Sequence, residues 1–301
     1  MDFNYQNKPG QKLEKQCVKT PIDAKVSIVT PYYNSGKNFE ETYNCVINQS
    51  FEAFEWIIVD DGSTDIDSIK ELERLAATDA RIFVYRQDNG GQSKAKNYAL
   101  QKSNTDIIVF LDADDLVEPF YVEYLYRALE MHPKAGWSYM DLVGFGAVEY
   151  VWCKNFSTGR MTFNNILVNS AAFRKSCLKK VGWFPEVEKY YDEDWALYLK
   201  LLAEQVHPVH IPVIGFWYRK SQTGMQQTVR KNEALRKASD EYIAELAKVV
   251  KCKVKAECYA GELPEQGVRS EYSVIDKIIA VICNTKLGCF CMKKIYRLRS
   301  N

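Results

Sequence analysis

The chain has 301 residues, 47% of them apolar and 26% charged, a globular composition that excludes disordered and fibrous classes. Forty basic residues against thirty-nine acidic ones leave a formal net charge of +1, which offers no global electrostatic case for a nucleic-acid partner. The opening MDFNYQNKPGQKLEKQC is polar and no apolar run of about 18 residues occurs, so neither a signal peptide nor a membrane-spanning helix is expected. Nine cysteines, at 17, 45, 153, 177, 252, 258, 283, 289 and 291, show no CxxC pair. Reduced thiols in a cytoplasmic chain are the expectation, and the Cys283–Cys289–Cys291 spacing fits no zinc motif.

Residues 1–24 read as a polar N-terminal tail. From Lys25 the pattern alternates strand and helix. Val26 to Thr30 is a short β-rich run ended by proline and asparagine. Asn38 with Glu41 suggests a helix cap, and Phe39, Tyr43, Val46 and Ile47 form the apolar face that follows. A second strand, Phe54 to Val59, stops in acids and glycine. Ile66, Ile69, Leu72 and Leu75 recur at helical spacing. A third strand, Ile82 to Tyr85, leads through RQDNGGQS into helix SKAKNYALQ, and a fourth, DIIVFL, stops at Asp112.

Four β-α units with nearly continuous apolar strands predict a parallel sheet, buried on both faces and flanked by helices. The polar clusters TPYYN, DDGSTD, DNGGQS and DADD fall where strands end. Ligands of open parallel sheets bind at that edge, so one crevice is expected there. Beyond it, Pro119 starts a helix carrying Val122, Leu125 and Leu129, and Gly136 to Gly159 reads as strands and loops. A helix with acids at its start (YDEDWALYLKLLAEQ) and a strand (HPVHIPVIGFWYRKS) follow. Leu235, Ala238, Tyr242, Leu246 and Val249 mark a further helix. The divisions are 25–225 for a main domain, split into a nucleotide half (25–115) and an acceptor half (116–225), and 226–301 for a helical C-terminal extension.

LDADDL sets Asp112, Asp114 and Asp115 within four residues. Such carboxylates repel one another unless a cation offsets them, and hard oxygen donors suit Mg²⁺ or Mn²⁺ bridged to phosphates. A solvated acidic turn is the plain alternative for this cluster alone. Asp60 and Asp61 add an acidic pair able to accept a base N–H or a ribose hydroxyl, and TPYYN adds an aromatic for stacking. Neither GxGxxG nor a P-loop is present, which speaks against a dinucleotide cofactor and a triphosphatase.

VSIVTPYYN, FEWIIVDDGSTD, DNGGQSKAKNYAL, IIVFLDADD and YDEDWALYLKL, in that order, resemble a family 2 glycosyltransferase of the GT-A fold across roughly residues 25 to 222. The resemblance implies a mostly parallel α/β sheet with a Rossmann-like nucleotide half. It also implies inverting sugar transfer from a nucleotide-sugar donor, usually a UDP-sugar, with a divalent metal (Mn²⁺ or Mg²⁺). By the resemblance Pro31 and Tyr33 contact the base, Asp61 with Asp60 beside it reads the uracil, and Lys96, before Asn97, faces the nucleotide. Asp112 lies near the ribose and Asp114 holds the metal, both being DxD acids. Asp194 is the base that deprotonates the acceptor, with Glu193 and Trp195 on the acceptor side. Relatives often carry a histidine shortly after the strand ending FWYR; this chain reads YRKSQTGM, which leaves Arg219 and Lys220 for the diphosphate. His132, His207 and His210 lie elsewhere, and His207 and His210, flanking an apolar strand, read as structural.

A helix start tends to lower the pKa of Asp194 and keep it ionised. In the tail, Ile275, Ile278, Ile279 and Ile282 form a stripe followed by Lys286, Lys293, Lys294, Arg297 and Arg299. That pattern suits either peripheral contact with the inner face of a membrane or a helix docked on the domain. The expected partners are a nucleotide-sugar donor and a glycan or lipid-linked acceptor, in surface polysaccharide or glycoconjugate synthesis. A nucleotidyltransferase and a catalytically silent sugar-nucleotide-binding module are the alternatives.

Overall fold

The computed structural model describes residues 3–12, 17–20, 22–153, 155–186, 192–221 and 232–260, with side chains in the last helix described to residue 252. The basic tail and Cys258, Cys283, Cys289 and Cys291 therefore lie outside the described residues or side chains. Cys17, Cys45, Cys153, Cys177 and Cys252 are free thiols. Among the described residues no helix is long and apolar enough to cross a membrane.

Three β-α units open the domain: β1 (Val26–Tyr32) and α1 (Gly36–Ile47), β2 (Phe54–Asp60) and α2 (Ile66–Ala76), β3 (Ile82–Arg86) and α3 (Gln92–Lys102). β4 (Ile107–Phe110), β5 (Leu116–Val117), α4 (Tyr121–Met131), β6 (Trp137–Gly146), β7 (Tyr150–Trp152) and α5 (Thr158–Met161) follow. β8 (Ala172–Arg174), α6 (Lys175–Lys180), α7 (Glu193–Ala203), β9 (Pro208–Lys220) and α8 (Glu233–Ala260) complete the described chain. The strand order is β3-β2-β1-β4-β8-β6-β9-β5, with β7 paired to β6. β1 to β4 run parallel, as expected, and the second half is mixed: β8 is antiparallel to β4 and β6, whereas β9 runs parallel to β6.

The strand residues alternate between two cores. Phe54, Trp56 and Ile58 of β2 pack with the α1, α2 and α4 side, while Ile57 and Val59 pack with α3, α7 and α8. That two-residue period buries both faces of the central strands. β3 departs from the expectation, because it is an edge strand and leaves Phe83 and Val84 more than a third exposed.

Three local expectations change. Ser35, not Asn38, precedes α1, because Gly36 donates its N–H to Ser68 Oγ at 3.0 Å. A Cβ on Gly36 would sit 2.7 Å from Ser68 Cα, so only glycine allows this approach. α4 begins at Tyr121, two residues after Pro119, whose carbonyl instead accepts the N–H of Ser50. On α8 the buried stripe is Ser239, Ile243, Ala247 and Val250, and Val249 is 48% exposed. Two apolar stripes overlap in that helix, and the hydroxyl of Ser239, donated to Asp192 Oδ2 at 3.1 Å, selects the register against α7.

The polar N-terminal segment lies against the domain. The rings of Phe3 and Tyr5 stand 5.3 and 6.2 Å from Trp217 of β9. Gly10 O accepts from Asn44 of α1, and Val18 N donates to Asp79 Oδ2 at the α2–β3 corner.

The α8 register yields a test. Ile243→Ala should destabilise the protein by about 2–4 kcal/mol through lost burial and cavity formation, while Val249→Ala stays within about 0.5 kcal/mol as a surface change. Urea unfolding of the two variants measures both, and equal effects would place the helix in the other register.

Candidate active site

The carboxyl ends of β1, β2 and β4 converge, and polar side chains knit their loops together. Asn34, at φ +49°, donates its N–H to Ser63 Oγ, and its side-chain carbonyl accepts from Thr64 N and Asp65 N, each at 2.9 Å. Gly62 sits at φ +74° with Asn89 N only 2.8 Å from where a Cβ would stand, so DDG admits no larger residue there. Pro31 is buried in β1, and Tyr33 is 48% exposed just beyond it.

The acidic pair is buried and held. Asp60 Oδ1 accepts Ser63 N at 2.9 Å, and Oδ2 pairs with Arg86 Nη1 at 3.0 Å. Asp61 accepts from Gln87 Nε2 (2.7 Å), Gly90 N (2.8 Å) and Gly91 N (2.7 Å). It thereby anchors the DNGG loop ahead of α3. A carboxylate has about four acceptor positions, so one remains for a further N–H donor.

Lys96 joins the Asp112 motif to the start of α7, itself standing 97 residues from Glu193 in sequence. Its fully buried ammonium on α3 lies 3.2 Å from Glu193 Oε1 and 3.7 Å from Asp112 Oδ1, and also donates to Gln92 Oε1 at 3.0 Å. Burial opposes its charge, but Asp112, Glu193 and Asp194 outweigh burial and raise its pKa. Asn97, next to it, ties α3 to the chain at Phe184, donating to Phe184 O and accepting Phe184 N. Asn169 Nδ2 approaches Asp112 Oδ1 from the β8 side at 3.4 Å.

Asp114 lies in the turn between β4 and β5. Burial, then the charge of Asp112, push its pKa up to about 6, with Arg219 opposing. Asp115 is buried further, and burial with its two acidic neighbours raises its pKa well above the carboxylate range. Asp115 Oδ1 accepts Arg219 N at 2.8 Å. Arg219 donates Nε to Asp114 O at 2.6 Å and Nη2 to Glu41 Oε2, while Lys220 Nζ stands 4.0 Å over the Tyr218 ring.

Asp194 opens α7 and accepts Trp195 N at 2.6 Å. Its pKa is raised to about 8 by burial, then by Glu193 and Asp192, against the pull of Lys96. This reverses the helix-start expectation, because burial and two like charges exceed the dipole's effect. Trp195 fixes the helix by donating Nε1 to Met161 O at 2.6 Å.

Asp112 and Asp114 are hard oxygen donors beside one another, and a cation would relieve the repulsion that raises Asp114. The pair therefore fits a divalent ion. Among the described residues no group of three or more His, Cys, Asp or Glu could close a metal cage, so substrate oxygens and water would have to complete the coordination.

A mixed sheet with acids at its parallel strand ends and a second acidic helix start nearby has the architecture of a GT-A-type fold. Residues 27–174, just under half of the chain, match the profile described as Glycosyl transferase family 2. Glycosyltransferase GlyA of Streptococcus pneumoniae is 32% identical over 108 residues, 36% of this chain and 15% of that protein. Across three curated relatives the match spans 15% to 35% of their length. Among solved structures, S. aureus TarS 1–349 in complex with UDP-GlcNAc superposes with a TM-score of 0.61 at 17% identity, covering 85% of this chain and 78% of that one. Mannosyltransferase PcManGT from Pyrobaculum calidifontis, in complex with GDP-Man and Mn²⁺, gives 0.55 at 17% identity, covering 92% and 88%. These two likenesses establish the fold.

Sequence reasoning left Asn34, Gln87 and Asn169 without roles and read Glu41 only as part of a helix cap. Only the polarity of the strand-end loops hinted at Asn34 and Gln87; Glu41 and Asn169 act across long separations that no local pattern reports.

The raised Asp114 pKa has a sign that can be checked. Between about pH 4 and 6 the folded state keeps a proton that the unfolded state has lost, so stability falls as pH rises through that window. Asp114→Asn should therefore raise the melting temperature at pH 8 and change it little at pH 4, measured without divalent metal. A lowered melting temperature at pH 8 would contradict the buried, repelled carboxylate.

Proposed function

We propose that this chain is an inverting, metal-assisted glycosyltransferase that moves a sugar from a nucleotide-sugar donor, in the first place a UDP-sugar, to a hydroxyl of a glycan or lipid-linked acceptor. Surface polysaccharide or glycoconjugate synthesis is the setting that such an acceptor implies. The observation that carries the reading is Lys96. One buried ammonium brings the DxD acid Asp112 and the α7 acid Glu193 to the same crevice, so donor-binding and acceptor-activating groups face one another. The donors named for the TarS and PcManGT complexes, UDP-GlcNAc and GDP-Man, belong to the same chemical class.

Tyr33 and Pro31 border the base, and the remaining acceptor position of Asp61 takes its ring N–H, with Asp60 alongside. Asp112 serves the ribose. Asp114, with Asp112, would hold Mn²⁺ or Mg²⁺, which when bound supplies Lewis-acid neutralisation of the departing diphosphate. Arg219 and Lys220 add positive field at the end of β9. Lys96 sets the geometry of Asp112 and Glu193.

Asp194 takes the proton of the acceptor hydroxyl as its oxygen attacks the anomeric carbon in line. A carboxylate with a pKa near 8 is a far better proton acceptor than one near 4, provided that it is ionised when it acts. Glu193 and Trp195 frame the acceptor beside it.

Asp194→Asn keeps the shape and cannot accept the proton. Donor affinity by calorimetry should survive while turnover falls by about 10²–10⁴-fold at every pH; near-wild-type turnover would move the base elsewhere, first to Glu193. In the wild type, kcat/KM should rise with pH through about 8, following ionisation of Asp194.

Base reading has its own readout. Asp61→Ala should weaken UDP itself by roughly ten- to hundredfold, the cost of about 1–3 kcal/mol for an unpaired N–H. Equal binding of UDP, GDP and CDP by the wild type would refute it.

A further inference from the structure

The three carbonyls of the turn that carries Asp114 are each held from elsewhere in the chain. Thr42 Oγ1 of α1 donates to Ala113 O at 3.0 Å and to Asp115 O at 2.9 Å. Arg219 Nε donates to Asp114 O between them at 2.6 Å. The direction of the Arg219 side chain is set in turn by Glu41, one residue before Thr42, which accepts its Nη2. On its other oxygen Glu41 pairs with Lys8 Nζ of the N-terminal segment at 2.5 Å. Arg219 and Lys8 stand 4.6 and 5.6 Å from the same Phe145 ring, so Glu41 lies between two cations that share an aromatic wall.

We propose that Glu41, braced by Lys8, is a positioning residue for metal binding: it turns Arg219 toward the Asp114 carbonyl and away from the Asp114 carboxylate. Arg219 already reaches the turn through its backbone N–H to Asp115 Oδ1 and its Nε to Asp114 O, so without Glu41 its guanidinium has the turn's carboxylates at hand, and a guanidinium on a carboxylate competes with a divalent ion for the same oxygens. Lys8 keeps Glu41 in place and lies outside the 27–174 segment that matches the family. The N-terminal segment is thereby a working part of the donor site. The proposal rests on the reading that Asp114 holds the divalent ion.

The test uses the full chain and the metal itself. Mn²⁺ affinity is measured by electron paramagnetic resonance and calorimetry in the presence of UDP, beside metal-free UDP affinity and the melting temperature. Glu41→Gln and Lys8→Met should each weaken Mn²⁺ binding, Glu41→Gln by about tenfold, the usual effect of losing a partner behind a metal ligand. Metal-free UDP affinity should hold. Turnover at saturating Mn²⁺ should recover, so the defect lies in the Mn²⁺ requirement and not in kcat. Lys8→Arg should restore wild-type Mn²⁺ affinity, and Lys8→Met with Glu41→Gln should be no worse than Glu41→Gln alone. Wild-type Mn²⁺ affinity in Lys8→Met and Glu41→Gln, while Asp114→Asn loses it, would overturn the positioning role. If Asp114→Asn also keeps wild-type Mn²⁺ affinity, the metal assignment itself fails. Should Glu41→Gln not fold, Lys8→Met and Lys8→Arg decide the matter alone.

Discussion

A fully buried ammonium stays charged only if carboxylates surround it, and the geometry around Lys96 follows from that requirement. Its stem sits among packed side chains of α3, with the Phe184 ring 5.3 Å away, and its charge needs both Asp112 and Glu193. Those two acids stand on opposite sides of the crevice, one after β4 and the other at the start of α7. Removing one partner of a buried ion pair is far more costly than the pair's net contribution to stability. The end of β4 and the start of α7 are therefore held at a spacing set by one side chain. Asp194, one residue beyond Glu193, takes its position from the same constraint.

The carboxylates divide into two electrostatic kinds. Asp60 and Asp61 are met by donors from within the chain and serve as anchors of loops. Asp115 is buried, Asp114 and Asp194 are half-buried, and with few donors beside them their pKa values rise. Such groups cost the folded protein stability, and they stand where a cation or a proton would arrive. On the proposed reading, repulsion within the DxD turn suits it to a divalent ion, while burial and like charge at α7 make Asp194 a stronger proton acceptor. The same physical term, burial beside like charge, produces both.

Much of this was legible from local pattern. Strand-helix alternation, glycine at the strand ends and the dense acids of DADD are short-range signals, and the parallel half with its crevice follows from them. The β3 edge was misjudged because apolar content does not tell an edge strand from a central one. The α8 stripe was shifted because two apolar registers overlap and a single hydroxyl on Ser239 decides between them. The bracing of the metal turn was not legible at all. Nothing local to Glu41 or Thr42 ties them to the turn, and Arg219 stands 104 residues from Asp115, so only the fold brings them together.

That separation bears on how the molecule assembles. The turn holding Asp114 leaves β4 in the middle of the sheet and enters β5 at its far edge, where Leu116 pairs with Trp217. The arginine of its brace is therefore synthesised long after the turn itself. Closing so long a loop is slow, because its entropy must be lost before the pairing rewards it. On the ribosome, the strands β1 to β4 can pair while the metal turn still lacks both its neighbour strand and its arginine. A nascent chain ending near residue 174 would contain the whole segment that matches the family profile and still lack Arg219 and the partner strand of β5.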